Sequence, residues 1–368
     1  MPGLNGIEVI FSDICAFKQE GREYQGDPPQ PTSFRQDVLR LVLDLYDSIP
    51  QRAQIRSLSL QGLQDVNDKD IVDSLSFKSL ISKLKSLELH IATEDWDSNK
   101  DSNVWFPELH EFTAQLPTIW LLPSAATLSR LTLFANDTEL GFFPRLDLRE
   151  LEFPRLRHLA FGNIVFSHDW QFDWIIKHGS TLEELCLEEC SIIYARYSDT
   201  KLDEEDYLNV NAFLTSRYGF DLGDDVDTVE EPYRYVSFER RWHHFFDRLA
   251  LEMPRMCDFR FGSSHVIGRI ISNGEHTVYP GCSLLPRHLN QDRYQAVNCG
   301  QHDSEIYNLR LESIPEDVRH QFEPPECQSE DEAAFTRLLN QLHLPMYEIS
   351  WEDAHTDPDV YDKVPRFD

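Results

Sequence analysis

The sequence predicts an α/β solenoid with parallel strands on a concave face and helices outside. One observation is an apolar triplet with the spacing L-x-x-L-x-L, which recurs along the chain. The other is that helical apolar patterns separate the copies, and alternating strands and helices require crossover connections and a parallel sheet. The chain has 368 residues, of which 41% are hydrophobic, so it holds enough apolar material for a substantial core.

Eight triplets share this spacing, with other apolar residues allowed at the Leu positions. They are Leu4/Ile7/Val9, Ile55/Leu58/Leu60, Leu84/Leu87/Leu89, Leu109/Phe112/Ala114, Leu128/Leu131/Leu133, Leu156/Leu159/Phe161, Leu182/Leu185/Leu187 and Met256/Phe259/Phe261. A ninth, weaker copy is Ile306/Leu309/Leu311. The five middle intervals between central residues are 29, 25, 19, 28 and 26 residues. They lie near the period of roughly 20–29 residues of leucine-rich repeats, so the sequence predicts an irregular leucine-rich-repeat solenoid.

Within each copy, the alternation of a strand sends successive side chains to opposite sides. In the clearest copy Leu131 and Leu133 point into the core, whereas Arg130, Thr132 and Phe134 point outward. One strand cannot bury its apolar side alone, and stacking of neighbouring units supplies a continuous core.

Proline and small polar residues mark the ends of several copies. Proline stands two residues before the first apolar position in three of them, as Pro107, Pro154 and Pro254. Proline at that position ends a preceding helix and favours extended backbone. A small polar residue follows three copies, as Asn136, Asn163 and Cys190. These residues help to fix where each strand begins and ends.

Amphipathic patterns between the triplets predict helices. Ser33 and Gln36 fit a capping box. The apolar stripe behind them consists of Val38, Leu41, Val42 and Leu45. Three further stripes are Trp170, Trp174 and Ile175, ending at Gly179; Trp242, Phe245, Phe246 and Leu249; and Phe335, Leu338, Leu339 and Leu342.

Composition along the chain suggests two regions. Residues 1–265 are expected to form the solenoid, and residues 266–368 an irregular C-terminal cap and tail. Residues 191–236 interrupt the repeat and contain the acidic runs Asp203–Asp206 and Asp221–Glu231. We therefore expect an acidic, solvated loop insertion there.

The charge balance limits the classes of partner. With 34 basic and 64 acidic side chains, the net charge is -30, which repels nucleic-acid phosphates and anionic lipid. A basic partner protein would be attracted, although solubility alone is the simpler explanation of this charge. The seven cysteines have irregular spacing, and we find neither a signal peptide nor a membrane-spanning segment. A cytoplasmic or nuclear protein without nucleic-acid or membrane binding is expected.

The outward strand positions define the candidate binding surface. In a stacked sheet they align into a ladder on the concave face, which repeat proteins use to bind partners. Arg130 and Phe134 are of residue types enriched at interfaces, although any single position could equally be a solvated surface residue. The expected partner-binding residues are Glu88, His90, Arg130, Phe134, His158, Glu184, Glu188, Asp258 and Arg260.

Motifs for catalysis, cofactors and metals are not found. The sequence lacks G-x-S-x-G, a phosphate loop and G-x-G-x-x-G. Cys186 and Cys190 have no second pair at zinc-finger spacing. His243 and His244 would point about 100° apart on a helix, which is poor geometry for chelating one metal. No enzymatic activity, cofactor or metal site is therefore expected.

Three segments of the chain are similar to the fungal F-box/leucine-rich-repeat-like proteins. They are Phe153–Phe161, Trp174–Leu187 and Trp242–Pro254, and the resemblance covers roughly residues 1–262. Members with an F-box are similar to substrate receptors of SCF-type ubiquitin ligases. There the F-box binds the ligase adaptor and the repeats hold the substrate protein.

The resemblance implies a protein–protein interaction solenoid that acts as the substrate-recognition part of such a receptor. We find no F-box segment near the N-terminus, so adaptor binding is expected only if an F-box lies upstream. One alternative is a ligase-independent repeat scaffold. Another is a metal-dependent hydrolase on an α/β fold, which would require a deep pocket with converging polar groups.

Overall fold

The centre of the protein is a seven-stranded sheet whose strands lie side by side in chain order. This computed structural model describes residues 5–11, 33–50, 54–93, 107–136, 138–198, 202–210, 234–262, 287, 289, 292–298, 316 and 323–345. The sheet consists of β1 (Gly6–Ile10), β2 (Ser57–Gln64), β3 (Ser86–Ala92), β4 (Arg130–Ala135), β5 (His158–Gly162), β7 (Glu184–Glu188) and β10 (Asp258–Gly262). Every neighbouring pair is parallel. The predicted α/β class with a parallel sheet is confirmed.

The central residues of seven predicted triplets pair with one another across the sheet. The row is Ile7, Leu58, Leu87, Leu131, Leu159, Leu185 and Phe259. Six of these side chains are buried and Ile7 is half-buried. Because alternate residues of a strand share a face, this register gathers the apolar side chains of all seven strands into one core.

One predicted strand is a helix. The triplet Leu109/Phe112/Ala114 lies in α4 (Pro107–Leu116), so β4 follows β3 directly in the sheet. The intervals of three and seven residues from Leu109 to Phe112 and Leu116 fit one helical face, and all three side chains are buried. Pro107 opens this helix, where its missing N–H costs nothing. The weaker triplet at Ile306 lies outside the described residues.

Helices cover the inward side of the sheet. The other helices are α1 (Ser33–Ser48), α2 (Lys69–Val72), α3 (Leu75–Ile81), α5 (Asp169–Ile176), α6 (Trp242–Glu252) and α7 (Gln328–Gln341). Asp68 and Ser74 cap α2 and α3 by accepting backbone N–H groups. All seven helices contribute side chains to the cluster that contains the inward strand residues. The helices predicted from the four apolar stripes are confirmed.

The orientation of α1 differs from the prediction. The expected inward stripe included Leu41 and Leu45, but both are exposed, and Leu43 and Tyr46 are buried instead. Apolar residues occupy two sides of this helix, so periodicity alone could not select the side that meets the sheet.

A second, smaller sheet lies beside the first. It contains β6 (Val165–Phe166), β8 (Ser191–Ser198), β9 (Arg234–Ser237) and β11 (Tyr294–Asn298), with β9 antiparallel to β8 and the other pairs parallel. The expected loop insertion at 191–236 therefore begins with a strand. Tyr207 and Leu208 of that segment are also buried, in a cluster with Phe142 and Phe143. The acidic run Asp221–Glu231 and the expected domain boundary at residue 265 lie outside the described residues.

The last helix covers the sheet at the β10 end. Phe335 of α7 lies 5.3 Å from Phe246, 6.0 Å from Phe259 and 6.1 Å from Phe261, measured between ring centroids. Its neighbours Ala334, Leu338 and Leu339 are buried with it. The helix thus closes the apolar core at this end.

Leu159→Asp tests the shared register. Leu159 is buried between Leu131 and Leu185, so an aspartate there places an unpaired charge in the core. We expect a loss of at least about 4 kcal/mol of unfolding free energy, measured by urea denaturation followed by circular dichroism. Leu122→Asp is the matched control, since Leu122 is exposed. Equal midpoints for the two variants would show that Leu159 is not a core position.

Candidate partner-binding surface

The outward side chains of β2, β3, β4, β5, β7 and β10 form three rows across the sheet. The first outward row is Ser57, Ser86, Arg130, His158, Glu184 and Asp258. The second is Ser59, Glu88, Thr132, Ala160, Cys186 and Arg260, and the third is Gln61, His90, Phe134, Gly162, Glu188 and Gly262. All nine residues expected at the binding surface fall on these rows. The register therefore brings them together on one face.

Exposure decreases from the first row to the third. Arg130 is exposed and the rest of the first row is half-buried. In contrast, His90, Phe134 and Glu188 of the third row and Arg260 of the second are buried. The sequence predicted these four residues as outward partner-binding positions. They do lie on the outward rows, but their burial leaves little of their side chains accessible to a partner.

Packing around Phe134 accounts for much of this burial. Its ring stacks on His90 at a centroid distance of 5.3 Å and clusters with Cys186. On the next strand, a Cβ built on Gly162 would lie 1.9 Å from the Phe134 ring, so only glycine leaves room for it there. Phe134 is thus part of an apolar patch within the outward face itself, and a pattern of alternating residues cannot reveal its burial.

Hydrogen-bonded pairs of side chains organise the polar groups of the face. His90 Nε2 lies 2.8 Å from Glu88 Oε1, and His158 Nδ1 lies 2.6 Å from Glu184 Oε2. The third pair joins Arg260 Nε to Asp258 Oδ2 at 3.0 Å, and Arg287 also contacts Asp258. Two of these pairs connect residues two apart on one strand, and the His158 pair bridges β5 and β7.

The acidic members of two pairs stay ionised. The hydrogen bond from His90 lowers the pKa of Glu88, against the opposing effect of burial. The hydrogen bond from His158 likewise lowers the pKa of Glu184. The charge of Arg130 contributes to both shifts. Arg130 is therefore an exposed cation close enough to the Glu88 and Glu184 carboxylates to favour their ionised forms.

Two of the small polar residues that follow the triplets hold the strand ends together. Asn163 Nδ2 donates to the carbonyl of Ala135 at 2.6 Å, and Cys190 Sγ donates to the carbonyl of Phe161 at 3.6 Å. Each bond reaches back to the preceding strand. Burial raises the pKa of the Cys190 thiol well above its usual range, so this cysteine is structural and unreactive.

A buried polar cluster links α6, α7 and β11. Oxygens of the Asp331 carboxylate accept from His243 Nδ1, Arg293 Nε and the Tyr294 hydroxyl, each at 2.9 Å. Cys327 Sγ lies 3.7 Å from the same carboxylate. His243, Cys327 and Asp331 bring potential metal ligands within 4.8 Å of one another. Because a guanidinium already occupies Asp331 Oδ2, the arrangement fits a structural link between elements better than a metal centre.

Sequence reasoning missed this cluster. Asp331 and His243 are 88 residues apart, and neither belongs to a local motif. The adjacent pair His243 and His244 was noted in the sequence, but its spacing on a helix argued against a shared metal and gave no sign of the contact with Asp331.

A cleft of about 420 Å³ lies beside the segment 202–210. Its charges are mutually paired: Arg145 contacts Asp147 at 2.8 Å, Asp203 at 3.4 Å and also Glu205. Burial alone would raise the pKa of Asp147, but hydrogen bonds from Arg149 and Arg145 lower it to about 2. The guanidinium of Arg145 also lies 4.2 Å from the centroid of the Tyr207 ring. These contacts hold the segment in place and leave no activated acid–base pair among them.

Together, these features define an α/β protein with helices on one side of a parallel sheet and an accessible polar row on the other. Comparison of the chain with protein-family models, with curated proteins and with solved structures finds no match. The site is therefore assigned from its own geometry. No helix of the described residues is long and apolar enough to cross a membrane.

Glu139→Gln is expected to stabilise the protein at alkaline pH. Gln295 donates to Glu139 Oε1 at 2.8 Å, and burial raises the pKa of this carboxyl to about 7 from its usual 4.5. The unfolded carboxyl ionises first, so Glu139 costs stability progressively from about pH 4.5 to pH 7. At pH 8 the variant should gain roughly 1–3 kcal/mol of unfolding free energy.

Urea denaturation at pH 5 and pH 8 measures this effect. The gain should be small at pH 5 and full at pH 8. A gain of the same size at both values would mean that Glu139 does not titrate in this range.

Proposed function

We propose that the chain is a leucine-rich-repeat-type solenoid that binds another protein across the outward face of its sheet. The intervals between aligned central residues support this repeat, at 29 residues from Leu58 to Leu87, 28 from Leu131 to Leu159 and 26 from Leu159 to Leu185. The backward hydrogen bonds of Asn163 and Cys190 fit the role of the small polar residue in such repeats. The interval between β3 and β4 is longer because α4 lies within it.

The single observation that carries the proposal is the first outward row. Six strands place six polar side chains at one level, across about 24 Å at the usual strand spacing of roughly 4.8 Å. This row is long enough to contact an extended segment of a partner. Phe134 and Cys186 pack together in the neighbouring outward rows, and side chains fixed in this way lose less conformational entropy on binding.

The charges favour a partner with both basic and acidic groups along its contact. Glu184 and Asp258 lie at one end of the first row, and Arg130 lies in its middle. Arginine is a frequent hot-spot residue because its guanidinium forms several hydrogen bonds at once. The net charge of -30 attracts a protein that is basic overall.

We further propose that the bound protein is the substrate of an SCF-type ubiquitin ligase and that the chain acts in the cytoplasm or nucleus. This step rests on the resemblance to F-box/leucine-rich-repeat-like proteins. A repeat scaffold without a ligase would use the same face. The cleft beside residues 202–210 and the Asp331 cluster favour neither alternative, since the charged groups of Arg145 and of Asp331 are paired within each site.

Arg130→Glu tests the binding face. The side chain is exposed, so the variant should fold normally but weaken partner binding at least tenfold through lost contacts and charge reversal. The measurement is quantitative mass spectrometry of proteins retained by the immobilised chain. Lys69→Glu makes the same charge change on an exposed position of α2 and serves as the control. The proposal fails if every protein retained by the wild type is retained equally by Arg130→Glu.

Adaptor binding separates the two forms of the proposal. If the chain is part of a ligase receptor, the ligase adaptor should co-purify with the full-length protein isolated from its own cells. A different result would indicate the ligase-independent scaffold. In that case the wild type binds a partner that Arg130→Glu does not bind, and no adaptor co-purifies.

A further inference from the structure

The first helix carries a second apolar face that covers no core. Phe34, Leu41 and Leu45 of α1 are 69%, 65% and 55% exposed. Residues seven and eleven positions apart lie within about 40° of each other around a helix. Together with the half-buried Val38, they form a continuous stripe, called here the α1 stripe.

The α1 stripe is turned away from the part of the protein that the structure describes. Leu43 and Tyr46 point into the core, and the Tyr46 hydroxyl lies 3.1 Å from Ser79 Oγ of α3. Asp47 contacts Ser76 of the same helix. The stripe lies on the opposite side of α1 from these contacts, so it faces the open end of the stack of strands and helices.

The described part of the sheet ends with β1 at this same end. β1 is an edge strand, and its inward residues Ile7 and Val9 are only half-buried. Their counterparts on β2, Leu58 and Leu60, are 3% and 1% exposed. Ile10 of β1 is also largely exposed. Apolar side chains of both the helix layer and the sheet layer therefore meet solvent at the N-terminal end.

The other end of the stack is closed. There α7 buries Phe335 and Leu338 against the core and presents Glu330, Glu332 and Arg337 to solvent. Terminal units of repeat proteins need such a polar outer surface to remain soluble. Among the described residues, the β1 end has no such polar cover, and a contiguous exposed apolar patch is typical of an interaction site.

We propose that the α1 stripe is a second docking site, which binds an amphipathic helix of a partner protein with basic residues along its borders. From Phe34 to Leu45 the stripe runs about 16 Å, which matches three turns of a helix. Exposed Asp37 and Asp44 line one border, and Arg40 neutralises Asp37 only in part at 3.2 Å. Such a helix packs its apolar residues at i, i+4 and i+7 against the stripe.

A second copy of the chain fits this site less well. Two chains that each carry a net charge of -30 repel each other. The acidic border of the stripe would add to that repulsion, whereas a basic helix would relieve it. This docking site is separate from the outward rows of the sheet and does not depend on their function.

The test uses the full chain and a synthetic probe. The probe is an 18-residue fluorescent helical peptide with leucines at i, i+4, i+7 and i+11 and lysines on both borders. A matched peptide with glutamates in place of the lysines controls for charge. Binding is measured by fluorescence anisotropy, and the mass of the unliganded chain by light scattering.

Leu41→Asp should weaken binding of the lysine peptide at least tenfold, with an unchanged melting temperature. Leu251→Asp is the matched control, because Leu251 is exposed on α6, and it should bind as the wild type does. Asp37→Asn/Asp44→Asn should bind more weakly and with less dependence on salt.

Three outcomes overturn the proposal. The wild type could fail to bind the lysine peptide, or it could bind it no better than Leu41→Asp does. The third outcome is a wild-type dimer that Leu41→Asp converts to a monomer, which would assign the stripe to a second copy of the chain.

Discussion

The shared register of the parallel strands is the constraint on which the rest of the structure depends. It sets Leu58, Leu87, Leu131 and Leu159 side by side, so that each buries its neighbour and all contact the helices. A slip of one residue in any strand would turn its apolar side chains outward. The same register also forms the outward rows. The strand pairing that aligns the leucines aligns the polar residues between them as well.

The β10 end and the β1 end of the sheet differ in how their apolar side chains are covered. At the β10 end, α7 covers the core and the Asp331 cluster anchors it by bonds from His243 and Tyr294. Such a buried carboxylate is stable only because its oxygens are satisfied by several donors. At the β1 end no comparable cover exists among the described residues, and one apolar side of α1 is exposed there. Within the described sheet, the apolar side chains are therefore covered further at the β10 end than at the β1 end.

The outward face is also divided into two zones. In its third row, Phe134 and His90 are buried, with the Phe134 ring stacked on His90 and packed over Gly162. The side chains of the first row are half-buried or exposed. A rigid apolar layer next to an open polar row suits recognition, because the contact residues are held in place before the partner arrives. Each of the two histidines on this face is hydrogen-bonded to a glutamate. The polar atoms that form these bonds are therefore not left without a partner, and the bonds hold the side chains in place.

The sequence alone determined the fold class, the positions of seven strands and the register that joins them. These follow from local rules: apolar side chains two residues apart define an inward side, and repetition near a fixed period defines the stack. The ladder of outward residues, including Arg130, His158 and Glu184, followed from the same rules.

Only the tertiary structure decided the features that depend on contacts between distant residues. The apolar spacing at Leu109 and Phe112 fits a helix face as well as a strand, and the surroundings selected the helix. Periodicity offered two apolar sides on α1, and the space beside α3 selected Leu43 and Tyr46 for burial. The burial of Phe134 required Gly162 on the adjacent strand, and the Asp331 cluster required residues 88 apart. Local patterns fix which side chains share a face, whereas burial depends on what the chain later folds against that face.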